Sequence, residues 1–426
     1  MFSRRRALIL GFAAVGLAGC SSSSTTINVN NNDAGTQTGG SNSTGGKSGT
    51  SGTDGIGGLN STGGMTSSRL IASAIAAGDS HTCAVLSGGA VQCWGDNTWG
   101  QLGNGKTGNG ATMISTGPVA VSGLTNASTI AAGRQHTCAV LNGGAIQCWG
   151  ASYGAGALGD GTTADSALPV TVLGVTNAIA VSPGYDHTCA VLNGGTVQCW
   201  GWNDQGQLGN GTTTNSNLPI AVSGITNATA IVANWKYTCA LLGNGKVQCW
   251  GRNTDSELGD GTTTASIVPV TVLNITSAMS IGKASEGDHI CSLLSGGTVQ
   301  CWGANAYGQL GNGSTVNSSV PVAVSGVASA TSIAEGGWHT CALVSVGTIQ
   351  CWGYNGDGEL GNGTTTNNAV PVTVSGITNA SAIAASKHTC AVLSGGTVQC
   401  WGGNGHGEIG NGSTTNSNVP VTVGGF

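Results

Sequence analysis

Charged side chains make up only 7% of the 426 residues, methionine occurs four times and phenylalanine three times. Long amphipathic helices draw on Glu, Lys, Arg and Met, so a helical bundle has little to be built from. No lysine- or arginine-rich run occurs after the first six residues, and the formal net charge is −5. Without a basic footprint, nucleic acid is not expected as a partner. Gly-X-Ser-X-Gly, a phosphate-binding P-loop, His-Glu-X-X-His and a spaced carboxylate pair are all missing. No catalytic, cofactor or metal site is therefore legible.

What is abundant points elsewhere. Glycine, at 76 residues, leads a composition rich in threonine, valine and asparagine, which suits short strands joined by tight turns. Fourteen of the fifteen cysteines fall into Cys-X9-Cys pairs, and Cys20 is left over. Pairing on this scale indicates an oxidising compartment.

Residues 1–19 have the form of an export signal. Arg4, Arg5 and Arg6 precede an apolar run from Ala7 to Ala18, which is shorter than the roughly 20 residues needed to span a bilayer. Leu17-Ala18-Gly19-Cys20 resembles the lipobox of bacterial lipoproteins, which implies lipidation of Cys20 and cleavage in front of it. Ser21, in place of an aspartate, implies by the same resemblance an outer-membrane or cell-surface destination. An ordinary cleaved signal with a stray cysteine is the competing reading. The segment 20–68 begins with that cysteine and is otherwise almost wholly Ser, Thr, Gly and Asn. It is expected to be a disordered tether reaching roughly 40 Å.

The cysteine pairs are Cys83/Cys93, Cys138/Cys148, Cys189/Cys199, Cys239/Cys249, Cys291/Cys301, Cys341/Cys351 and Cys390/Cys400. Their first members step by 55, 51, 50, 52, 50 and 49 residues. A period near 50 with several strand-like runs per unit points to a propeller. In the first copy those runs are 73–78 (SAIAAG), 81–86 (HTCAVL), 90–95 (AVQCWG) and 118–121 (PVAV).

Side chains alternate along a strand, so Cys83 and Val85 share one face of the second run, and Val91 and Cys93 share one face of the third. Folding about Gly88 sets 83 against 93 and 85 against 91. A three-residue hairpin loop takes glycine in the left-handed position that ends it. That position holds Gly89, Gly144, Gly195, Gly245, Gly297, Gly347 and Gly396. Each Cys-X9-Cys is therefore expected to close its own hairpin, contributing up to about 3 kcal/mol. The spacing fits zinc ribbons poorly.

Trp94, Trp149, Trp200, Trp250, Trp302, Trp352 and Trp401 each follow a second cysteine and are expected to fill the gaps between neighbouring sheets. Asn104-Gly105, Asp160-Gly161 and Asn210-Gly211 read as turns in the long third connection. Seven of the eight prolines are placed at the head of the fourth run, where a missing N–H is tolerated.

The pattern HTCAV…G.VQCWG.N..GQLGNG…PV.V, recurring over residues 70–426, resembles the regulator-of-chromosome-condensation repeat in its disulfide-bearing bacterial form. The resemblance implies an all-β domain over 69–426, a seven-bladed β-propeller of four-stranded antiparallel blades. Most members share one blade between the two termini. Here the chain enters at a first-strand segment (70–77) and stops after a fourth-strand one (419–423), so closure without a shared blade is expected.

Six copies carry histidine two residues before the first cysteine, at His81, His136, His187, His289, His339 and His388, and the fourth copy has Tyr237. A ring of imidazoles around a metal is one reading. Repetition in nearly every copy favours the other, a structural hydrogen bond at a strand start. Asn355-Gly-Asp-Gly-Glu359 lacks the spacing and distal glutamate of a calcium loop and reads as a turn.

Variation between copies marks the candidate binding face. The hairpins from second to third run are monotonous (SGG, NGG, SVG), whereas the first and third connections, which leave the opposite face, carry aromatic and charged bulk. The first supplies Asp79, Arg134, Tyr185, Asp186, Trp235, Lys236, Asp288, Trp338 and Lys387. The third supplies Trp99, Tyr153, Trp202, Arg252, Asp255, Tyr307, Tyr354, Asp357 and His406. Aromatics among scattered charges resemble interface hot spots.

The leading expectation is a monomeric, non-enzymatic propeller, anchored to a membrane through its lipid alone, that binds a protein partner through this face. A glycan is the alternative ligand, because Trp and Tyr beside Asn and Asp stack on sugars. The family resemblance implies nucleotide exchange on a small nuclear GTPase as its best-known role. That role uses an insertion from one blade, for which the even period leaves no room. A hydrolase or lyase in the central funnel would have to use Asp186 with His187 or Asp288 with His289, and strand neighbours point to opposite faces.

Overall fold

A computed structural model describes residues 71–283 and 286–426; the export signal, Cys20 and the tether lie outside the described residues. Seven four-stranded antiparallel sheets stand around one axis, at 72–120, 127–171, 178–221, 228–271, 278–323, 330–373 and 380–422. They are numbered here as blades 1 to 7. In blade 1 the strands are Ala72–Ala77, His81–Leu86, Val91–Asp96 and Ile114–Ala120, paired in chain order. First strands of successive blades touch around the ring, blade 7 included with blade 1. Every blade is one contiguous segment, so none combines the two ends of the domain. The seam is apolar, with Phe426 and Val423 packed beside Ala72 and Trp94.

The seven cysteine pairs are disulfides, each within its own hairpin. They join Cys83 to Cys93, Cys138 to Cys148, Cys189 to Cys199 and Cys239 to Cys249 in blades 1 to 4. In blades 5 to 7 they join Cys291 to Cys301, Cys341 to Cys351 and Cys390 to Cys400. The two cysteines of a pair face each other directly in the ladder between second and third strands, as Cys189 faces Cys199 and Cys390 faces Cys400. In blade 1, Cys83 lies opposite Cys93 and Val85 opposite Val91. Gly89 has φ +87° at the end of its loop. A Cβ there would also sit 3.0 Å from the backbone entering blade 2, so this glycine answers both to the turn and to the neighbouring blade.

The core is a set of clusters at the blade junctions rather than a single central mass. One unites Cys83, Cys93 and Leu102 of blade 1 with Ile130, Ala139 and Trp149 of blade 2. Trp149 Nε1 donates to the Gln101 carbonyl across the junction at 2.9 Å, and Thr137 Oγ1 donates to the same oxygen at 2.9 Å. The other six tryptophans that follow a second cysteine make the same bond to the blade before them. All seven are fully buried, so each satisfies its one polar atom as a buried indole must.

Seven prolines sit inside the outer strands rather than at their heads, and Pro183 ends the first strand of blade 3. Pro169 is within Ser166–Thr171 and Pro118 within Ile114–Ala120. A bulge opposite Cys148 and Gly150 adds the residues before Pro169 to the strand, and an edge strand tolerates a missing donor. Ser166 Oγ donates to the Leu168 carbonyl just before that proline at 2.7 Å. Serines 115, 216, 266, 318 and 417 repeat this arrangement.

Candidate functional site

The cysteines stand apart from any site. Cys199, Cys301, Cys351 and Cys400, on third strands, are fully buried in the junction clusters, as are their partners Cys189, Cys291, Cys341 and Cys390. Bonded and enclosed, they present neither a thiolate nor a contact surface, and their part is to brace the blades.

The histidine ring is committed to holding blades together. His81 Nε2 is 2.8 Å from Thr137 Oγ1 of the next blade. The single hydroxyl proton of Thr137 is on the Gln101 carbonyl, so the imidazole must be the donor, with its proton on Nε2. His136, His187, His289, His339 and His388 contact Thr188, Thr238, Thr340, Thr389 and Thr82 in turn. Burial holds them neutral; His81, His187, His289 and His339 are pushed down to about 3. Asp288 contacts Arg252 and His187 contacts Thr238, so neither acid–base pair considered from the sequence is assembled by these contacts.

First and third connections meet on one face, as in the bonds from Trp202 N to Asp186 O and from Tyr354 N to Trp338 O. Six of the seven third connections are shaped by a buried asparagine that sequence reading passed over. Asn203 Nδ2 donates to the Thr212 and Thr214 carbonyls, and its Oδ1 accepts from Leu208 N. The signal was there: Trp-Gly-X-Asn recurs in six of the seven copies, with Ser152 the exception. Asn355 makes the same clamp, and Glu359 Oε2 accepts from Asp357 N. That turn is thus held by its own asparagine and glutamate side chains.

The face carries two aromatic groups. In the first, Tyr185 lies 6.5 Å from Tyr153 and 6.1 Å from Trp235. Arg134 sits 4.0 Å above the Tyr185 ring and Arg252 4.5 Å above that of Trp235. In the second, Tyr307, Trp338 and Tyr354 pack edge to face at 5.1–6.2 Å. Tyr307 and Trp338 are 39% and 40% exposed. Trp99, Tyr153, Tyr185, Trp202, Trp235 and Tyr354 are half-buried.

Most charges on this face are paired; Asp186 Oδ1 is buried without a hydrogen-bond partner among the described residues. Arg252 holds Asp255, Glu257 and Asp288 at 2.6, 2.9 and 2.7 Å. Those three carboxylates lie close enough together for a metal ion, but the guanidinium already supplies their positive charge. Burial raises Glu257 to about 7 and Asp288 to about 6, with Arg252 opposing. Lys236 pairs with Asp204 at 2.9 Å. Lys387 bridges Asp79 at 2.8 Å and Glu286 at 3.3 Å, and Arg134 reaches Glu286 at 3.4 Å. Burial and then Glu286 raise Asp79 to about 7, against the pull of Lys387. His406 contacts Glu408, which raises it, and Asp357 accepts from Asn416.

Glu286 joins blade 5 to blades 2 and 7 and was missed from the sequence. Blade 5 has a first strand of four residues, Ala278–Ile281, where the others have six. Eight positions separate Ile281 from His289, against six from Ile75 to His81, and that expansion was the available signal. Where the strand stops short, Cys291 N donates to the buried Glu335 carboxyl of blade 6. Burial pushes that acid well above its usual range.

Segments 88–140, 194–241, 296–343 and 347–393 match the Regulator of chromosome condensation (RCC1) repeat. A second form of that repeat matches 72–101, 127–154, 178–207, 228–257, 330–359 and 386–408. The Ultraviolet-B receptor UVR8 of Arabidopsis thaliana is 38% identical over 135 residues, 31% of this chain and 30% of that protein. Protein pim1 of Schizosaccharomyces pombe is 31% identical over 147 residues, 30% of this chain and 26% of that protein. The chain thus spans less than a third of the length of either curated relative. Among solved structures, Prp20p from Saccharomyces cerevisiae, described with its binding to Gsp1p and histones, has a TM-score of 0.66 at 20% identity, covering 83% of this chain and 86% of that one. Human WBSCR16 has a TM-score of 0.64 at 20% identity, covering 73% and 83%. At such identities the likeness is one of fold.

Proposed function

The chain belongs to the Regulator of chromosome condensation (RCC1) repeat family, and we propose that it is an exported, lipid-anchored interaction propeller. It binds a protein partner through the face built by its first and third connections. One observation carries this reading: Tyr307 and Trp338 remain exposed in an aromatic group on a face most of whose charges are paired. Apolar rings at the centre of a polar rim are the composition of an interface hot spot. Seven disulfides fit an oxidising compartment. Prp20p, of the same fold, binds proteins.

The test is affinity capture from the native cell envelope, with the wild-type propeller against Tyr307→Ala combined with Trp338→Ala. Retention of the captured protein should fall at least tenfold. Equal retention removes this face from the account, and capture of polysaccharide instead of protein replaces the partner class. Cys20→Ser, fractionated alongside, should move the protein out of the membrane pellet.

A further inference from the structure

The first strands line an axial cavity of about 260 Å³. Its wall is alanine with branched apolar side chains, among them Ile75, Ile130, Ile333 and Ile383, and its one charged lining residue among the described residues is Lys283. The matching positions of the other blades hold Ala77, Ala132, Pro183, Ala233, Glu335 and Ala385. Glu335 Oε1 accepts from Cys291 N, and burial, which raises this acid well above its usual range, leaves it without charge to offer. Lys283, freed by the short first strand of blade 5, donates to the Ala132 carbonyl of blade 2.

This lysine is poorly provided for. An ammonium has three protons to place, and among the described residues Lys283 forms no ion pair. Burial pushes it down to about 7. Its charge is felt by His81 and His136, which burial holds neutral and which offer it no counter-charge. The acids at this end of the ring, Asp79 and Glu286, are engaged with Lys387 and Arg134. An uncompensated cation in an apolar chamber is costly until an anion joins it.

We propose that the axial cavity is a binding site for a small apolar carboxylate, whose chain lies along the isoleucine–alanine wall and whose headgroup pairs with Lys283. The size agrees, since a cavity of roughly 150 Å³ holds benzene and this one takes a body of about eight carbons. The site is independent of the aromatic face and would stand if that face bound nothing.

The experiment is calorimetric titration of the full chain with octanoate and with octan-1-ol, its uncharged counterpart. The wild type should bind both, octanoate more tightly. Lys283→Met should weaken octanoate at least tenfold and change octan-1-ol less than twofold, which also shows the chamber to be intact. Ala384→Phe keeps the lysine, fills the chamber and should abolish both. Lys283→Arg, which keeps the charge, should retain octanoate binding and decides the matter if the methionine variant loses both ligands. The proposal is overturned if the wild type does not bind octanoate, if Lys283→Met leaves it unchanged, or if Ala384→Phe leaves both ligands bound.

Discussion

The Tyr237 hydroxyl donates to the backbone carbonyl of His289 in the next blade at 2.8 Å. At the other six junctions a histidine holds this place and meets a threonine of the following blade. Here the threonine position is Ile290, which has no hydroxyl to offer. The two departures are matched: the longer tyrosine reaches past the isoleucine to the main chain. Tyr237→His alone would leave an imidazole N–H facing Ile290, a buried donor without a partner, at a cost of about 1–3 kcal/mol. Adding Ile290→Thr should restore most of it. A double-mutant cycle by urea unfolding reads the coupling, and strictly additive effects would refute the pairing.

Acid should act on the other junctions. His187 titrates near 6.5 when unfolded and about 3 when folded, because of burial. Its folded value is depressed, so protonation favours the unfolded chain. Its contribution is complete above about pH 6.5 and is lost as pH falls towards 3, at up to about 1.4 kcal/mol per pH unit. Asp79, Asp186, Glu257, Asp288 and Glu359 are raised to about 6–7. They act with the opposite sign above pH 4 and mask the histidines in a plain acid titration. His187→Tyr with Thr238→Ile copies the natural Tyr237–Ile290 junction and isolates one histidine. Relative to wild type, its stability should climb as pH is lowered from 6.5 to 4, and a pH-independent difference would contradict the assignment.

Ser256 has φ +71° where the corresponding position of the closely similar loop in blade 3 is Gly206, at φ +78°. A left-handed residue with a Cβ is strained by about 1–2 kcal/mol. Ser256→Gly should therefore raise the stability of the propeller by about 1 kcal/mol, after the larger freedom of glycine in the unfolded chain is counted. Thermal unfolding under non-reducing conditions measures it.

Replacing Cys239 and Cys249 by alanine should cost up to about 3 kcal/mol, the closure entropy of a short loop. Hydrogen exchange should quicken in blade 4 and its two neighbours and stay slow across the ring, because repeats of this kind contact only the blades beside them. Exchange that quickens everywhere would mean that the ring melts as one unit.

How much of this was legible depended on distance along the chain. The hairpin register of Cys83 and Cys93, the left-handed Gly89 and the packing role of Trp94 follow from a dozen residues at a time. The partner of His81 lies 56 residues on, and it emerges only when one copy is compared with the next copy displaced by one position. Lys283 and Glu286 reach still further, from blade 5 to blade 2, and periodicity is silent on contacts across an axis. The prolines misled because composition marks where a donor is missing, whereas the bulge that extends the strand before Pro169 is a property of the pairing. On the candidate face, residue type alone does not separate exposed Trp338 from half-buried Trp235, which has an arginine above its ring.

The outer strands have a consequence for life in a crowd. The seven blades present seven outer sheet edges, and molecules held side by side on a surface would meet rim to rim at high local concentration. Each edge lacks an amide proton at its proline, and in six blades the carbonyl just before it is already occupied by a serine hydroxyl. Strand addition between neighbours finds neither a full row of donors nor a full row of acceptors. A dense layer of these molecules should accordingly remain fluid, sliding past one another instead of zipping into fibres.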